Sequence, residues 1–165
     1  MHKLTVAARS RSLIAEQVRN KMVQIFTIGF TKTTAEHFFG RLKESKSRKL
    51  VDVRLNNVSQ LAGFAKRDDL KFFAKSLCGM DYAHVPNLAP TKPMLDAYKK
   101  KKIDWAKYEY QYLDLMVQRR VEKIKPSDFD GCCLLCSEDT PHFCHRRLVA
   151  EYLHQKWGNV EIIHL

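Results

Sequence analysis

Short apolar runs alternate with longer stretches of helical spacing along most of this chain. Residues 23–28 read as a strand ending at Gly29, and Thr33-Thr34-Ala35-Glu36 reads as a capping box opening a helix that carries Phe38, Phe39 and Leu42. Residues 50–55 form a second strand, and 69–77, with Leu70, Phe73 and Leu77 at helical spacing, a second helix. Residues 82–88 read as a third strand that leaves through Pro86 and Pro90, followed by helical segments near 93–101 and 104–123. Residues 132–137 are a near-continuous apolar run of the kind buried on both faces of a sheet. A last helix spans 141–157 with Gly158 as its stop, and 160–165 is a closing strand.

This order predicts the α/β class: a mainly parallel sheet of about five strands with helices on both faces, as one three-layer domain over residues 23–165. Residues 1–22 read as a basic N-terminal extension. In such sheets ligands bind beyond the carboxyl ends of the strands. Here those positions are 29–34, 54–64, 87–92 and 137–147, where polar residues also interrupt the apolar pattern.

Composition narrows the picture. At 165 residues with 45% hydrophobic and 10% aromatic content, the chain can bury a core. No apolar run approaches the roughly 18–20 residues of a membrane span, and the N-terminus lacks the apolar stretch of a secretory signal. The five cysteines are odd in number and crowd one segment, a poor disulfide framework that suits a reducing, cytoplasmic setting. Cys78, Cys132 and Cys133 read as small buried hydrophobes. The net charge of +11 includes five Lys/Arg against one Glu in residues 1–22, the run Lys99-Lys100-Lys101-Lys102, and Arg119-Arg120. Such a balance favours polyanions, either nucleic acid or a small phosphate-bearing ligand; a solvated basic face is the alternative.

The candidate chemistry concentrates in Cys136-Ser137-Glu138-Asp139-Thr140-Pro141-His142-Phe143-Cys144-His145-Arg146-Arg147. Strand periodicity sets Cys136 and Glu138 on one face. Pro141 suits the first helical position, which makes Thr140 the N-cap and puts Cys144 in or just after the first turn. A helix N-terminus and cationic neighbours lower a thiol pKa and attract anions. Three readings follow. Cys144 is a nucleophile, with His145 or Glu138 moving protons. Alternatively, Cys136, Cys144 and a His hold zinc. Or both cysteines pack in the core while the arginines are solvated or paired with Glu138. The apparent C-x-x-C of Cys133 and Cys136 does not help zinc, because residues three apart on a strand face opposite ways. Asp52-Val53-Arg54 is a second constellation: Asp52 would hold Arg54 for a carboxylate or phosphate, or the two form an internal pair. Gly29 and Thr31 mark a strand-to-helix turn that a ligand could approach, and His84 could line the same edge.

Taken together, T-I-G at Thr27–Gly29, D-V-R at Asp52–Arg54, Y-x-H at Tyr82–His84 and C-x-E-x5-C-H-R at Cys136–Arg146 resemble the domain-of-unknown-function 488 family, from about Met22 to Leu165. The family pattern usually has His after I-G, where this chain has Phe30, and Pro where this chain has Asn57. The resemblance implies a compact α/β fold and a site around Asp52, Arg54, Cys136, Glu138, Cys144, His145 and Arg146. It also suggests a link to DNA repair, and names no settled activity. The leading expectation is therefore a cysteine-dependent hydrolase or transferase acting on a nucleotide, nucleic acid or other phosphate-bearing substrate. Cys144 would be the nucleophile, Glu138 or His145 the acid/base group, and Arg54 and Arg146 the anion binders. The alternatives are a non-catalytic nucleic-acid-binding module and a small-ligand sensor. No cofactor is required, no membrane is involved, and the sequence does not set the oligomeric state.

Overall fold

The computed structural model describes residues 22–58 and 62–165; the N-terminal extension read at 1–22 therefore lies, except for Met22, outside the described residues. Five strands form one parallel sheet: β1 (Val23–Gly29), β2 (Lys49–Asp52), β3 (Asp81–His84), β4 (Cys132–Cys136) and β5 (Val160–His164), in the order β3-β2-β4-β1-β5. The expected α/β class is the observed one. The central strand β4 is buried along its whole length, as its unbroken apolar run requires.

Six α-helices are found among the described residues: α1 (Ala35–Ser45), α2 (Arg67–Cys78), α3 (Lys92–Lys99), α4 (Trp105–Gln118), α5 (Pro126–Phe129) and α6 (His145–Trp157). They divide between the two faces according to strand alternation. Phe26, Ile28, Leu50, Cys133 and Leu135 pack with Phe38, Phe39 and Leu42 of α1 and Leu70 and Ala74 of α2. Ile25, Val51, Val53, Cys132, Leu134 and Cys136 pack with Tyr108, Tyr112 and Met116 of α4 and Leu148, Val149 and Leu153 of α6.

That division places a crevice. β1 and β4 are neighbours, with Gly29 opposite Cys136, yet the chain leaves β1 for α1 on one face and leaves β4 for α6 on the other. Adjacent parallel strands whose connections diverge in this way open a cleft at their carboxyl ends. The end of β4 is also flanked by β2, whose helix α2 shares the α1 face.

Several boundaries differ from expectation for local physical reasons. The N-cap of α1 is Thr34, whose hydroxyl accepts from the His37 amide, so Glu36 does not close a capping box with Thr33. The third strand stops at His84, because Pro86 has no amide to extend the ladder and starts a 3-10 turn at Pro86–Leu88. The fourth helical segment ends at Gln118, Arg120 adopts positive φ, and a 3-10 turn follows at Val121–Lys123. The last helix begins at His145 rather than near Pro141, with Cys144 as its N-cap. No described helix is long and apolar enough to cross a membrane.

Candidate functional site

The cysteine centre is assembled from the end of β4 and the start of α6. Cys136 is the last residue of its strand and points toward the α4–α6 face. Residues 137–143 loop back so that Cys144 arrives at the N-cap position, extended at φ −139°, with no side-chain cap bond. The two sulfurs and a ring nitrogen of His145 lie within 4.8 Å of one another, and all three residues are buried. Cys136 is 4% exposed, Cys144 2% and Arg146 1%.

His145 is oriented by the backbone. Its Nε2 lies 2.9 Å from the Val53 carbonyl, which can only accept, so Nε2 carries the proton. The Cys136 sulfur stands almost equidistant from the two ring nitrogens, 3.6 Å from Nδ1 and 3.7 Å from Nε2, and so lies over the ring and not along the Nδ1 lone pair. The ring packs against Tyr112, with centroids 5.5 Å apart. Thiol and imidazole are therefore in contact in the buried interior.

Arg146 folds back over the loop. Its Nη1 donates to the Glu138 carbonyl and, at 3.3 Å, to the Cys144 sulfur; its Nη2 donates to the Asp139 carbonyl at 3.2 Å. Its Nε is buried without a partner, and no carboxylate pairs with this guanidinium among the described residues. A buried cation without an anion costs several kcal/mol, so the neighbouring thiol pair is the natural counter-charge. The sulfurs divide that charge unequally. The neighbouring Cys144 thiol lowers the Cys136 pKa, and against the cost of burial Arg146 and the Glu138 and Ser137 amides lower it further. Burial and the adjacent Cys136 push Cys144 well up. The direction of the shifts thus favours Cys136 as the thiolate of the pair, while the direct hydrogen bond from Arg146 goes to Cys144.

Gly29 proves to be a packing residue. A Cβ there would lie 1.6 Å from the Glu138 carbonyl oxygen, so glycine admits the backbone of the 137–143 loop and not a ligand. Thr31 fastens the same loop: its amide and its hydroxyl both donate to the Ser137 carbonyl, at 3.1 and 2.9 Å. Lys32 pairs with Asp139 at 3.0 Å. Glu138 contributes its carbonyl to the centre, while the residue itself is exposed.

Asp52 and Arg54 stand elsewhere. Alternation sends Asp52 to the α1–α2 face, opposite Cys136, so the structure does not join the two constellations in one pocket. Arg54 Nε and Nη2 donate to the two Asp52 oxygens at 2.8 and 2.6 Å, and Nη1 donates to the Ala65 carbonyl at 2.9 Å. The Tyr82 hydroxyl donates to Asp52 at 2.7 Å, and Asn57 Nδ2 lies 3.3 Å from the same oxygen. Phe30 lies under the Arg54 guanidinium, 5.1 Å from ring to Cζ. Burial alone would raise the Asp52 pKa, but Arg54 and Tyr82 overcome it and hold the carboxyl below its ordinary value. Arg54 is 2% exposed and committed to this pair, which is the internal Asp–Arg alternative. His84 donates to or accepts from nothing in the cysteine centre; its Nε2 meets the Arg54 carbonyl at 2.9 Å.

Sequence reasoning missed the Val53 carbonyl, which no side-chain motif can reveal. It also passed over Tyr82 and Asn57 as partners of Asp52, although the parallel pairing of β2 with β3 carries Tyr82 to the required edge.

A family model described as "Domain of unknown function DUF488" matches residues 34–153, from the N-cap of α1 through most of α6, and includes every cysteine. No curated protein and no solved structure matches this chain.

Proposed function

Since the chain belongs to the DUF488 family, which carries no assigned activity, we propose from the site itself that the protein is a cysteine-dependent hydrolase or transferase acting on a phosphate-bearing substrate, a nucleotide or nucleic acid, at the carboxyl end of β4. The observation that carries the reading is Arg146: a guanidinium 1% exposed whose only acidic neighbour within hydrogen-bond reach, among the described residues, is the Cys144 thiol, itself beside Cys136. It favours a sulfur pair that shares one proton. Cys136 is the nucleophile, His145, whose two ring nitrogens stand 3.6 and 3.7 Å from its sulfur, takes its proton, and Cys144 donates to the resulting thiolate. This differs from the role first expected of Cys144, and Glu138 keeps no acid/base part.

The phosphate preference rests on charge and on the helix terminus. The first turn of α6 has no side-chain cap; the Cys144 carbonyl takes the Arg147 amide, which leaves those of His145 and Arg146 for an anion. Lys32 stands at the same edge, and the overall charge of +11 draws polyanions. Because both sulfurs are buried, a substrate of this size requires the 137–143 loop to move outward.

Cys136, Cys144 and His145 are also a donor set that suits zinc. Charge counting makes it the second choice. Two thiolates neutralise a dication completely and leave Arg146 unbalanced, whereas one thiolate neutralises Arg146.

The test is turnover on a panel of nucleotides and single-stranded oligonucleotides, comparing the wild type with Cys136→Ser and His145→Gln. Cys136→Ser is expected to abolish activity, and His145→Gln to lower it by about 10²–10⁴-fold. Activity that survives Cys136→Ser removes the nucleophile reading. One equivalent of zinc retained through gel filtration replaces it with a metal centre.

The second functional reading, nucleic-acid binding without catalysis, is favoured by one feature: Lys99, Lys100, Lys101 and Lys102 are all exposed at the end of α3, beside the half-buried ring of Tyr98. Basic side chains next to an aromatic ring suit single strands.

A further inference from the structure

The burial of the sulfur pair restricts what can reach it, and this restriction points to a second substrate class. Cys136 and Cys144 are 4% and 2% exposed, and the loop above them is fastened by Thr31, by the Lys32–Asp139 pair and by Arg146. With that loop in place the sulfurs present almost no surface, so a substrate that meets them without displacing the loop has to be small. We propose that Cys136 and Cys144 form a peroxide-reducing dithiol, which small hydroperoxides convert to an intramolecular disulfide. The inference rests on the thiolate assigned above but needs no phosphate-bearing substrate.

The chemistry balances with the peroxide as sole oxidant. The Cys136 thiolate attacks one peroxide oxygen and the O–O bond breaks. The departing hydroxide or alkoxide takes up the proton that His145 received, and Cys136 is left as a sulfenic acid. The Cys144 sulfur then attacks the Cys136 sulfur, the S–O bond breaks, and water leaves with the Cys144 thiol proton. The two thiols lose two electrons and the peroxide gains them.

Three observations favour this pair over the other thiols. The two sulfurs lie within 4.8 Å of each other. Arg146 stands at 3.3 Å from Cys144, where it stabilises sulfur anions and polarises a leaving oxygen. By contrast, Cys132 and Cys133 are adjacent on β4, point to opposite faces and belong to different core clusters, so neither can resolve the other. Cys78 is half-buried, donates to the Phe39 carbonyl, and has its pKa raised by burial. These three are internal controls.

Oxidation would also change the loop. A disulfide is neutral, so Arg146 loses its counter-charge and with it the reason to stay buried against the Glu138 and Asp139 carbonyls. Release of the 137–143 loop is the expected consequence, visible as faster amide exchange there.

The experiment exposes the full chain to one to a few equivalents of hydrogen peroxide, blocks remaining thiols under denaturing conditions, and maps peptides by mass spectrometry. The expected result is a Cys136–Cys144 linked peptide formed at least about tenfold faster than any oxidation of Cys78, Cys132 or Cys133. In Cys144→Ser a sulfenic acid should persist on Cys136 and be trapped by dimedone. A pair that stays reduced while Cys78 oxidises overturns the inference, and wild-type mapping alone decides it if the variant does not fold. Phosphate-substrate turnover without peroxide sensitivity removes only this inference; rapid disulfide formation without any turnover removes only the phosphate substrate.

Discussion

Asp52 accepts from the Arg54 amide, the Arg54 guanidinium, Tyr82 and Asn57 while fully buried. Breaking such a pair by removing one charge leaves the other stranded, at a cost of about 3–5 kcal/mol. Asp52→Asn is therefore expected to lower stability by that order in urea denaturation, and Arg54→Met by a similar amount. The pH dependence has a definite sign. The folded-state pKa of Asp52 lies below its unfolded value of about 3.9, so its stabilisation is present above that pH and is lost as pH falls through the folded value. Wild-type stability should drop on acidification below about pH 4 more steeply than that of Asp52→Asn. A second residue-scale expectation concerns Gly29→Ala. The added methyl meets backbone and not a movable side chain, so the β4–α6 loop must shift, at an overpacking cost of about 1–3 kcal/mol. Faster labelling of Cys136 and Cys144 by iodoacetamide should accompany the loss.

Helix starts separate two threonines that look equivalent in sequence. Thr34 caps α1 through its hydroxyl, and Thr34→Ala should cost about 1 kcal/mol in thermal denaturation. Thr140, the expected cap of α6, is exposed, and only its backbone amide is bonded, to Asp139. Thr140→Ala should fall within about 0.5 kcal/mol of wild type. The displacement has a tertiary cause: Arg146 claims the Glu138 and Asp139 carbonyls, Thr31 claims the Ser137 carbonyl, and the loop held by these bonds reaches the helix only at Cys144. At this scale the strands were readable because each is an apolar run with alternating partners. The helix ends were less so, because caps compete with tertiary hydrogen bonds that leave no local pattern.

Over the whole molecule, net charge acts at long range. If the exposed lysines 99–102 contact phosphates, replacing all four with Ala should weaken single-stranded oligonucleotide binding. It should also flatten the slope of log K against log salt by about 0.7 per lost contact. An unchanged slope would assign these residues to a solvated face. The Lys32–Asp139 pair, by contrast, is largely solvated and contributes little to holding the loop.

The chain pattern by itself determined the α/β class, the burial of β4 and the candidate stretch from Cys136 to Arg146. Each of these follows from periodicity, or from residue types close together in sequence. The pattern could not determine which constellation faces which layer. Asp52 and Cys136 both end neighbouring strands, but alternation from each strand's own register sends them to opposite sides of the sheet. Nor could it assign charge. Cys144 beside His145 and Arg146 looks like the activated thiol when only neighbours in sequence are counted. The fold buries it as an N-cap beside a second thiol, Cys136, with Arg146 bonded to the Cys144 sulfur and the Val53-oriented His145 against the Cys136 sulfur. A thiol pKa depends on distance and desolvation in three dimensions, and tertiary packing sets both.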